Sequence, residues 1–200
     1  MDITLSGILN ALSPKEREKL IPIDFEKDQI LCHEGDACHG VHFVAKGEIK
    51  IVSYSLEGKE IIYNVVPSGG IFGNHLAFST EPYYRGSAIG EDKGRAYYVK
   101  KSDLIDIFQH NPTFLERYLN ILSDFGKDLN AKIHLLSLPT GLERLEYYLY
   151  LHQGSVRISS VTALAKDLAI SREACSRLLS SAERDGSIVR EGKVLLLKRE

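Results

Sequence analysis

The C-terminal third of the chain carries the pattern that most constrains its fold: a helix, a very short turn, a second helix and a hairpin. Ser160 precedes apolar residues that recur with helical spacing, which predicts a helix from that serine to about Ala169. A second helix is predicted to begin at Ser171, and a hairpin is predicted around Glu191-Gly192. This order is typical of a winged helix-turn-helix, an architecture that binds DNA.

The second helix has a polar face that suits the edges of DNA bases. Arginine can donate two hydrogen bonds to guanine, glutamate accepts from the cytosine amino group, and serine does either. Ala174, Leu178 and Ala182 are predicted to form the apolar back of this helix. A face of arginine and glutamate can also be no more than a solvated surface, but the winged helix-turn-helix order favours DNA reading. The candidate DNA-reading residues are Arg172, Glu173, Ser176, Arg177 and Ser180.

A long helix is predicted to begin at Asn111-Pro112, because asparagine is a good N-cap and proline is tolerated at the first helical position. Apolar residues then recur with alternating spacings of four and three, as in a coiled-coil seam, and Gly126 interrupts the repeat. A neighbouring face carries Phe114, Tyr118, Ile121 and Phe125. The two stripes could form one wide core face, but their length favours a homodimer. The predicted dimer interface is Leu115, Leu119, Leu122, Gly126, Leu129, Ile133 and Leu136.

The residues before this helix show a different pattern, with short apolar or alternating runs separated by turn residues. The turn residues recur about every eight to twelve residues, which predicts an antiparallel sandwich or a barrel-like domain. A short helical lead-in is predicted over residues 4–20, and Ser102 is predicted to cap a short helix that ends at Phe108. The candidate strands are Ile30–Cys32, Val41–Ala45, Glu48–Tyr54, Glu60–Val66 and Ala96–Val99.

Charge and cysteine content narrow the class of protein. Residues 1–138 hold 15 basic and 19 acidic side chains, whereas residues 139–200 hold 10 and 8, so only the C-terminal part is net positive. No apolar run approaches the roughly 20 residues of a membrane span, and the N-terminus has no secretory signal pattern. Three cysteines are too few for a disulfide framework, which favours a cytoplasmic protein.

These features together resemble the Crp/Fnr family of bacterial transcription regulators over nearly the whole chain. Each motif alone is weak, but their order is specific. The residues that carry the resemblance are Gly35-Asp36, the run 41–51, Gly58-Lys59-Glu60, Phe72-Gly73, Asn111-Pro112, the run 168–173 and Ser176-Arg177.

The resemblance implies an α+β chain in three parts. An antiparallel β-roll (a double-stranded β-helix) would sense an effector over residues 1–110, a dimerisation helix would span 111–138, and a winged helix-turn-helix would span 139–200. By the family pattern Arg172, Glu173 and Arg177 would contact bases, and Ser176 resembles a reading position of the Fnr-like branch. Ala169 stands where the family usually has glycine. The implied partners are a palindromic double-stranded DNA operator, a second copy of the chain, RNA polymerase and an unknown small-molecule effector.

The effector pocket departs from the cyclic-nucleotide pattern. By the resemblance, a cyclic-nucleotide domain would carry a phosphate-binding segment. In that segment Phe-Gly-Glu supplies a carboxylate to the ribose, and an Arg-Ser or Arg-Thr pair binds the cyclic phosphate. Here the first part ends in asparagine, and a glycine separates the arginine from the serine. A one-residue shift on a strand points a side chain to the opposite face, which argues against a cyclic nucleotide. The candidate pocket residues are Phe72, Gly73, Asn74, Arg85 and Ser87.

Other readings of the sensor stay open. An iron-sulfur cluster is not supported, because it would need four cysteine ligands and the chain has three. Haem is not supported either, although His33, His39 or His75 could supply a ligand. Cys32 and Cys38 could form a redox pair, but the favoured explanation is a buried strand thiol at Cys32 and a loop thiol at Cys38. A constitutive regulator with a degenerate sensor, a cyclic-nucleotide-responsive regulator and a cupin-like metal enzyme are the alternatives. No catalytic or metal-ligating set is found in the sequence, and the cofactor is left unknown.

Overall fold

The computed structural model describes residues 7–198 of the 200-residue chain. A 3-10 turn over Gly7–Ala11 and a short helix, α1 (Pro14–Arg17), occupy the predicted lead-in, whose residues 4–6 lie outside the described range. The other helices are α2 (Asn74–Ala77), α3 (Lys101–His110), α4 (Pro112–Ser137), α5 (Gly141–Leu151), α6 (Val161–Asp167) and α7 (Arg172–Arg184). The strands are β1 (Ile21–Phe25), β2 (Ile30–Cys32), β3 (Gly40–Lys46), β4 (Ile49–Tyr54), β5 (Glu60–Val66), β6 (Ile71–Phe72), β7 (Ser87–Gly90), β8 (Gly94–Lys100), β9 (Ser155–Arg157), β10 (Ile188–Glu191) and β11 (Val194–Leu197).

The chain divides into two compact units, Met1–Ser123 and Asp124–Glu200, and the boundary falls within α4. The three-part division at residues 110 and 138 therefore stays a prediction. None of the helices within residues 7–198 combines the length and the hydropathy needed to cross a membrane.

The first unit is built on two four-stranded antiparallel sheets, with strand orders β1-β8-β3-β6 and β2-β7-β4-β5. Phe25 and Phe43 from the first sheet share one core with Ile49 and Ala88 from the second. Because both sheets bury one face against the other, the architecture is the predicted antiparallel β-roll.

Three strands of the roll were not predicted. β1 contains Pro22, which usually demotes a strand, but β1 lies at the edge of its sheet, where a missing N–H is tolerated. β6 has only two residues, and β7 is made largely of small residues that carry little strand propensity.

The second unit packs α5, α6 and α7 on a three-stranded sheet of order β10-β11-β9. The predicted hairpin is present as β10 and β11, and β9 adds a strand that the pattern did not predict. The core of this unit includes Leu145, Leu164, Leu179 and Leu195.

Caps position the helices at the predicted residues, with one exception. The Asn111 side-chain oxygen accepts a hydrogen bond from the Phe114 N–H at 2.9 Å, and the Ser160 side-chain oxygen accepts one from the Ala163 N–H at 3.0 Å. The prediction that Ser102 caps α3 was wrong, because α3 begins at Lys101 and Lys100 is its N-cap.

Candidate DNA-reading face and sensor site

All five candidate DNA-reading residues are exposed on α7. The helix begins after Ser171, whose side-chain oxygen accepts a hydrogen bond from the Ala174 N–H at 3.1 Å. The side chains of Arg172, Glu173 and Arg177 are exposed to solvent. The Ser180 hydroxyl donates to the Ser176 carbonyl at 3.1 Å, so it is partly occupied by the helix backbone.

The buried back of α7 differs from the prediction. Cys175, Leu179 and Ala182 are buried in the core of the unit, whereas Ala174 and Leu178 are only half-buried. The prediction therefore placed the centre of the apolar face one position too early, because it did not count Cys175 as apolar. A buried free cysteine behaves as a small hydrophobic residue.

The turn between α6 and α7 is a Schellman motif closed by alanine. The Ile170 N–H donates to the Ala165 carbonyl at 3.0 Å, and the Ala169 N–H donates to the Lys166 carbonyl at 3.2 Å. Ala169 has φ of 53°, in the left-handed region where glycine is favoured. Ala169 therefore occupies a left-handed position in this turn, at the place where the family usually has glycine.

We expect Ala169→Gly to raise the free energy of unfolding of this unit by about 1 kcal/mol, because alanine carries a steric cost in the left-handed region that glycine avoids. The matched control is Ala163→Gly within α6, which should lower it by about the same amount because glycine weakens a helix interior. Urea denaturation followed by circular dichroism measures both. A destabilising effect of Ala169→Gly would contradict the assignment of strain.

The wing carries basic side chains that the sequence reading did not single out. Arg190, Lys193 and Lys198 are exposed, and the Arg190 Nε donates to the Gly192 carbonyl at 3.2 Å across the hairpin turn. The sequence did contain a signal for these side chains, because they flank the hairpin predicted next to the candidate DNA-reading helix. Such side chains can bind phosphate groups without reading sequence.

The predicted dimer seam lies along α4 and is largely exposed in the single chain. Leu129 is 50% exposed and Ile133 57%, and Leu119 and Leu136 are also exposed. A Cβ placed on Gly126 would meet none of the described atoms within 4 Å, its own helix backbone aside. Leu115 and Leu122 are half-buried.

The second stripe of α4 packs on the β-roll. Phe114 and Tyr118 are buried in the core of the first unit, and Ile121 is half-buried against it. Phe125 is 40% exposed. The N-terminal end of this stripe therefore packs on the β-roll, and the seam residue Leu122 also packs against that core.

The carried-over phosphate residues do not come together. Arg85 is 69% exposed, and its Nη2 donates to the Glu81 carboxylate at 3.0 Å. Ser87 is buried on β7, and its Oγ accepts from the Glu34 N–H at 3.1 Å. Arg85 precedes β7 and its side chain faces solvent, whereas Ser87 is buried on the strand, so the two side chains do not converge on one binding point.

The other pocket residues lie in a closely packed polar cluster. Phe72 and Asn74 are buried, and Gly73 between them has φ of 78°. A Cβ at Gly73 would lie 3.3 Å from the Cys38 Sγ and 3.4 Å from the Tyr84 hydroxyl oxygen. A glycine is thus required here by both its conformation and its surroundings.

The buried histidine and thiols of this region have internal partners. His42 stacks on Phe72 with ring centroids 4.3 Å apart, and burial lowers its pKa to about 4, so it is neutral at pH 7. The Cys38 Sγ donates to the Gly40 carbonyl at 3.2 Å. Burial, followed by contact with the thiols of Cys38 and Cys32, raises the pKa of Tyr84.

The alternative sensor residues are placed as follows. Cys32, Cys38 and Cys175 are free thiols, and Cys38 is only 1% exposed, so it is a buried group rather than an open loop thiol. His33 and His39 are exposed. The Nδ1 of His75 lies 3.3 Å from the Asn74 side-chain oxygen. Among residues 7–198, no three His, Cys, Asp or Glu side chains are grouped so that they could hold a metal ion.

Comparison with known proteins agrees with the sequence resemblance. The cyclic nucleotide-binding domain family matches residues 22–111. The "Anaerobic regulatory protein" of Bacillus subtilis (strain 168) is 25% identical, over 98% of this chain and 85% of that protein.

Two solved structures share the fold. The catabolite activator protein of Thermus thermophilus superposes with a TM-score of 0.56 at 20% identity, over 96% of this chain and 93% of that chain. A CooA mutant from Carboxydothermus hydrogenoformans gives a TM-score of 0.66 at 20% identity, over 100% of this chain and 93% of that chain. The predicted resemblance to Crp/Fnr regulators and the predicted α+β fold class are confirmed.

Proposed function

We propose that this chain, a Crp/Fnr-type regulator in sequence and fold, binds a palindromic DNA operator as a homodimer and is controlled by an effector in its β-roll. The observation that carries the proposal is the polar face of α7, which is exposed on a helix whose back is buried in a winged helix-turn-helix. No enzymatic reaction is proposed. A cytoplasmic location agrees with three free thiols, and RNA polymerase is proposed as a partner on the resemblance alone.

The reading role is assigned to the exposed residues of α7. Arg172 and Arg177 have the fork that hydrogen-bonds guanine O6 and N7, and Glu173 can accept from a cytosine amino group. Ser176 adds a smaller polar contact, whereas Ser180 is the weakest candidate because its hydroxyl bonds to the backbone. Arg190, Lys193 and Lys198 are proposed as phosphate contacts.

A second copy of the chain is proposed to cover the seam of α4. Leu119, Leu129 and Ile133 are half or more exposed, which is costly in water, and the four-and-three spacing is that of a coiled-coil partner. Two parallel seams would place one reading helix on each side of a two-fold axis. A palindromic operator matches that symmetry, with half-sites about one helical turn apart.

Control by the β-roll is proposed to act as a shift between two dimer geometries. An effector that packs differently in the two geometries would change how the α4 seams meet and so the spacing of the reading helices. Gly126, which has open space around it, is proposed as the weak point of the seam. A constitutive regulator with a degenerate sensor is the second candidate, favoured by the internal partners of the buried pocket residues.

The effector is proposed to be something other than a cyclic nucleotide. We therefore expect that neither cyclic AMP nor cyclic GMP raises the midpoint of thermal unfolding. A nucleotide that bound the folded chain would raise it, because a ligand at about 100 times its Kd stabilises the folded state by about 2.7 kcal/mol. Differential scanning fluorimetry measures this, and small metabolites and haem belong in the same screen. A rise with a cyclic nucleotide that Arg85→Gln removes would show that the phosphate site functions after all.

Selection of bound sequences from a random double-stranded DNA pool tests the proposed function. The expected result is an enriched palindrome, bound by two copies of the chain. Recovery of no preferred sequence, with equal affinity for all DNA, would overturn the proposal.

A further inference from the structure

Side chains from α4 and α5 converge on Asp167, the last residue of α6, and on its C-cap Leu168, immediately before the turn to α7. We propose that Arg144 is a positioning residue that joins the C-terminal end of α4 to this turn and so sets the orientation in which α7 meets DNA. The proposal rests on the DNA-binding function given above.

Arg144 donates hydrogen bonds to three backbone carbonyl groups on two segments. Its Nε bonds to the Leu138 carbonyl at 3.0 Å and its Nη2 to the Leu136 carbonyl at 3.3 Å, both at the C-terminal end of α4. Its Nη1 bonds to the Leu168 carbonyl at 3.2 Å. Carbonyl groups at a helix end have no partner within the helix, so one guanidinium satisfies acceptors on both segments at once.

Two further side chains hold the same end of α6. The Lys132 Nζ, from α4, donates to the Asp167 carbonyl at 2.5 Å, and the Tyr148 hydroxyl, from α5, donates to the Asp167 carboxylate at 3.2 Å. Burial, and then the nearby Asp167 carboxylate, raises the pKa of Tyr148 to about 12, so the hydroxyl keeps its proton at neutral pH. Positive groups are also favourable at the negative end of a helix dipole.

The turn that follows has little freedom to absorb a change at its anchor. Leu168 is followed by Ala169 in the left-handed region, then Ile170 and the N-cap Ser171, and the backbone hydrogen bonds of the Schellman motif close this path. A rotation of the Leu168 carbonyl relative to α4 would therefore reorient the start of α7. Because side chains must be held within about 0.5 Å and 10–20° to bind with full strength, such a rotation costs specific contacts.

The shape of the arginine side chain is part of the argument. A guanidinium presents several donors in a fixed plane and can bridge two segments, whereas a lysine ammonium is a single point on a flexible stem. Arg144→Lys keeps the charge but loses the bridge, so it separates the two contributions.

The test compares Arg144→Gln and Arg144→Lys with Lys127→Gln in the full-length dimer. Lys127 is an exposed residue of α4 that pairs only with Asp124 in the described contacts, so its substitution removes a charge without touching the turn. Affinities for the selected operator and for random DNA are measured by fluorescence anisotropy, and hydrogen exchange is measured at the amides of Ala169 and Ile170. Both Arg144 variants should lose at least about tenfold in operator affinity, the equivalent of one good base contact, with random DNA affinity unchanged. Exchange at the turn should be faster in both variants, and Lys127→Gln should match the wild type.

Several outcomes would overturn the positioning role. Unchanged operator affinity would do so, as would equal losses on operator and random DNA accompanied by a lower unfolding midpoint, because that result describes a purely structural residue. If Arg144→Gln does not fold, Lys132→Gln gives the same test with a smaller expected loss, and unchanged turn exchange in that variant would count against the proposal. Failure of the proposed function looks different: the wild type would then prefer no DNA sequence.

Discussion

Replacing Ile133 with aspartate is expected to convert the proposed dimer into a monomer. The side chain is 57% exposed on the seam of α4. In a symmetric pair each copy would bury its own Ile133 against the partner helix, so one substitution changes the interface at two places. The variant loses the apolar burial in both copies and places two unpaired carboxylates in an apolar interface. Together these effects should cost at least about 4 kcal/mol, or about a thousandfold in the dimer dissociation constant.

Sedimentation equilibrium over a range of concentrations measures that constant directly. The matched control is Asn120→Asp, which adds the same carboxylate to an exposed position on another face of α4. It should leave the dimer intact. If the Ile133 variant dimerises as tightly as the wild type, the seam is not the interface and another surface must be sought. Operator affinity should fall together with dimerisation, because a monomer reads one half-site.

Replacing Arg177 with alanine is expected to cost about 1–3 kcal/mol in operator affinity, a loss of about 5- to 150-fold, and almost nothing on random DNA. The arginine is exposed close to the middle of α7, and its removal should not disturb the buried back formed by Cys175, Leu179 and Ala182. Anisotropy titrations on operator and random duplexes at several salt concentrations measure the effect. The pair of measurements separates base reading from phosphate binding.

Arg190→Ala on the wing is the matched control for that substitution. If Arg190 contacts only phosphate, its loss should weaken both DNAs alike and lower the salt dependence by about one ion. Equal losses on both duplexes for Arg177→Ala would instead make Arg177 a phosphate contact. The reading assignment would then pass to Arg172 and Glu173.

Much of the fold was readable from local patterns. The caps at Asn111, Ser160 and Ser171 were predicted because side-chain oxygens satisfy the first N–H groups of a helix, a requirement that acts over three residues. The exposed polar face of α7 was predicted from helical spacing. Strands with weak local signals were missed, as β1 with its proline shows, since an edge position is known only once the sheet is assembled.

The amino-acid sequence by itself determined the helix, turn, helix and hairpin order of the C-terminal third, the polar face of α7 and the apolar stripe of α4, because each depends on residues close together in the chain. Only the tertiary structure decided that Cys175 lies at the centre of the buried back and that Arg144 joins α4 to the turn before α7. These contacts join segments whose sequence separation carries no periodic signal. Packing brings them together, and no local pattern encodes that.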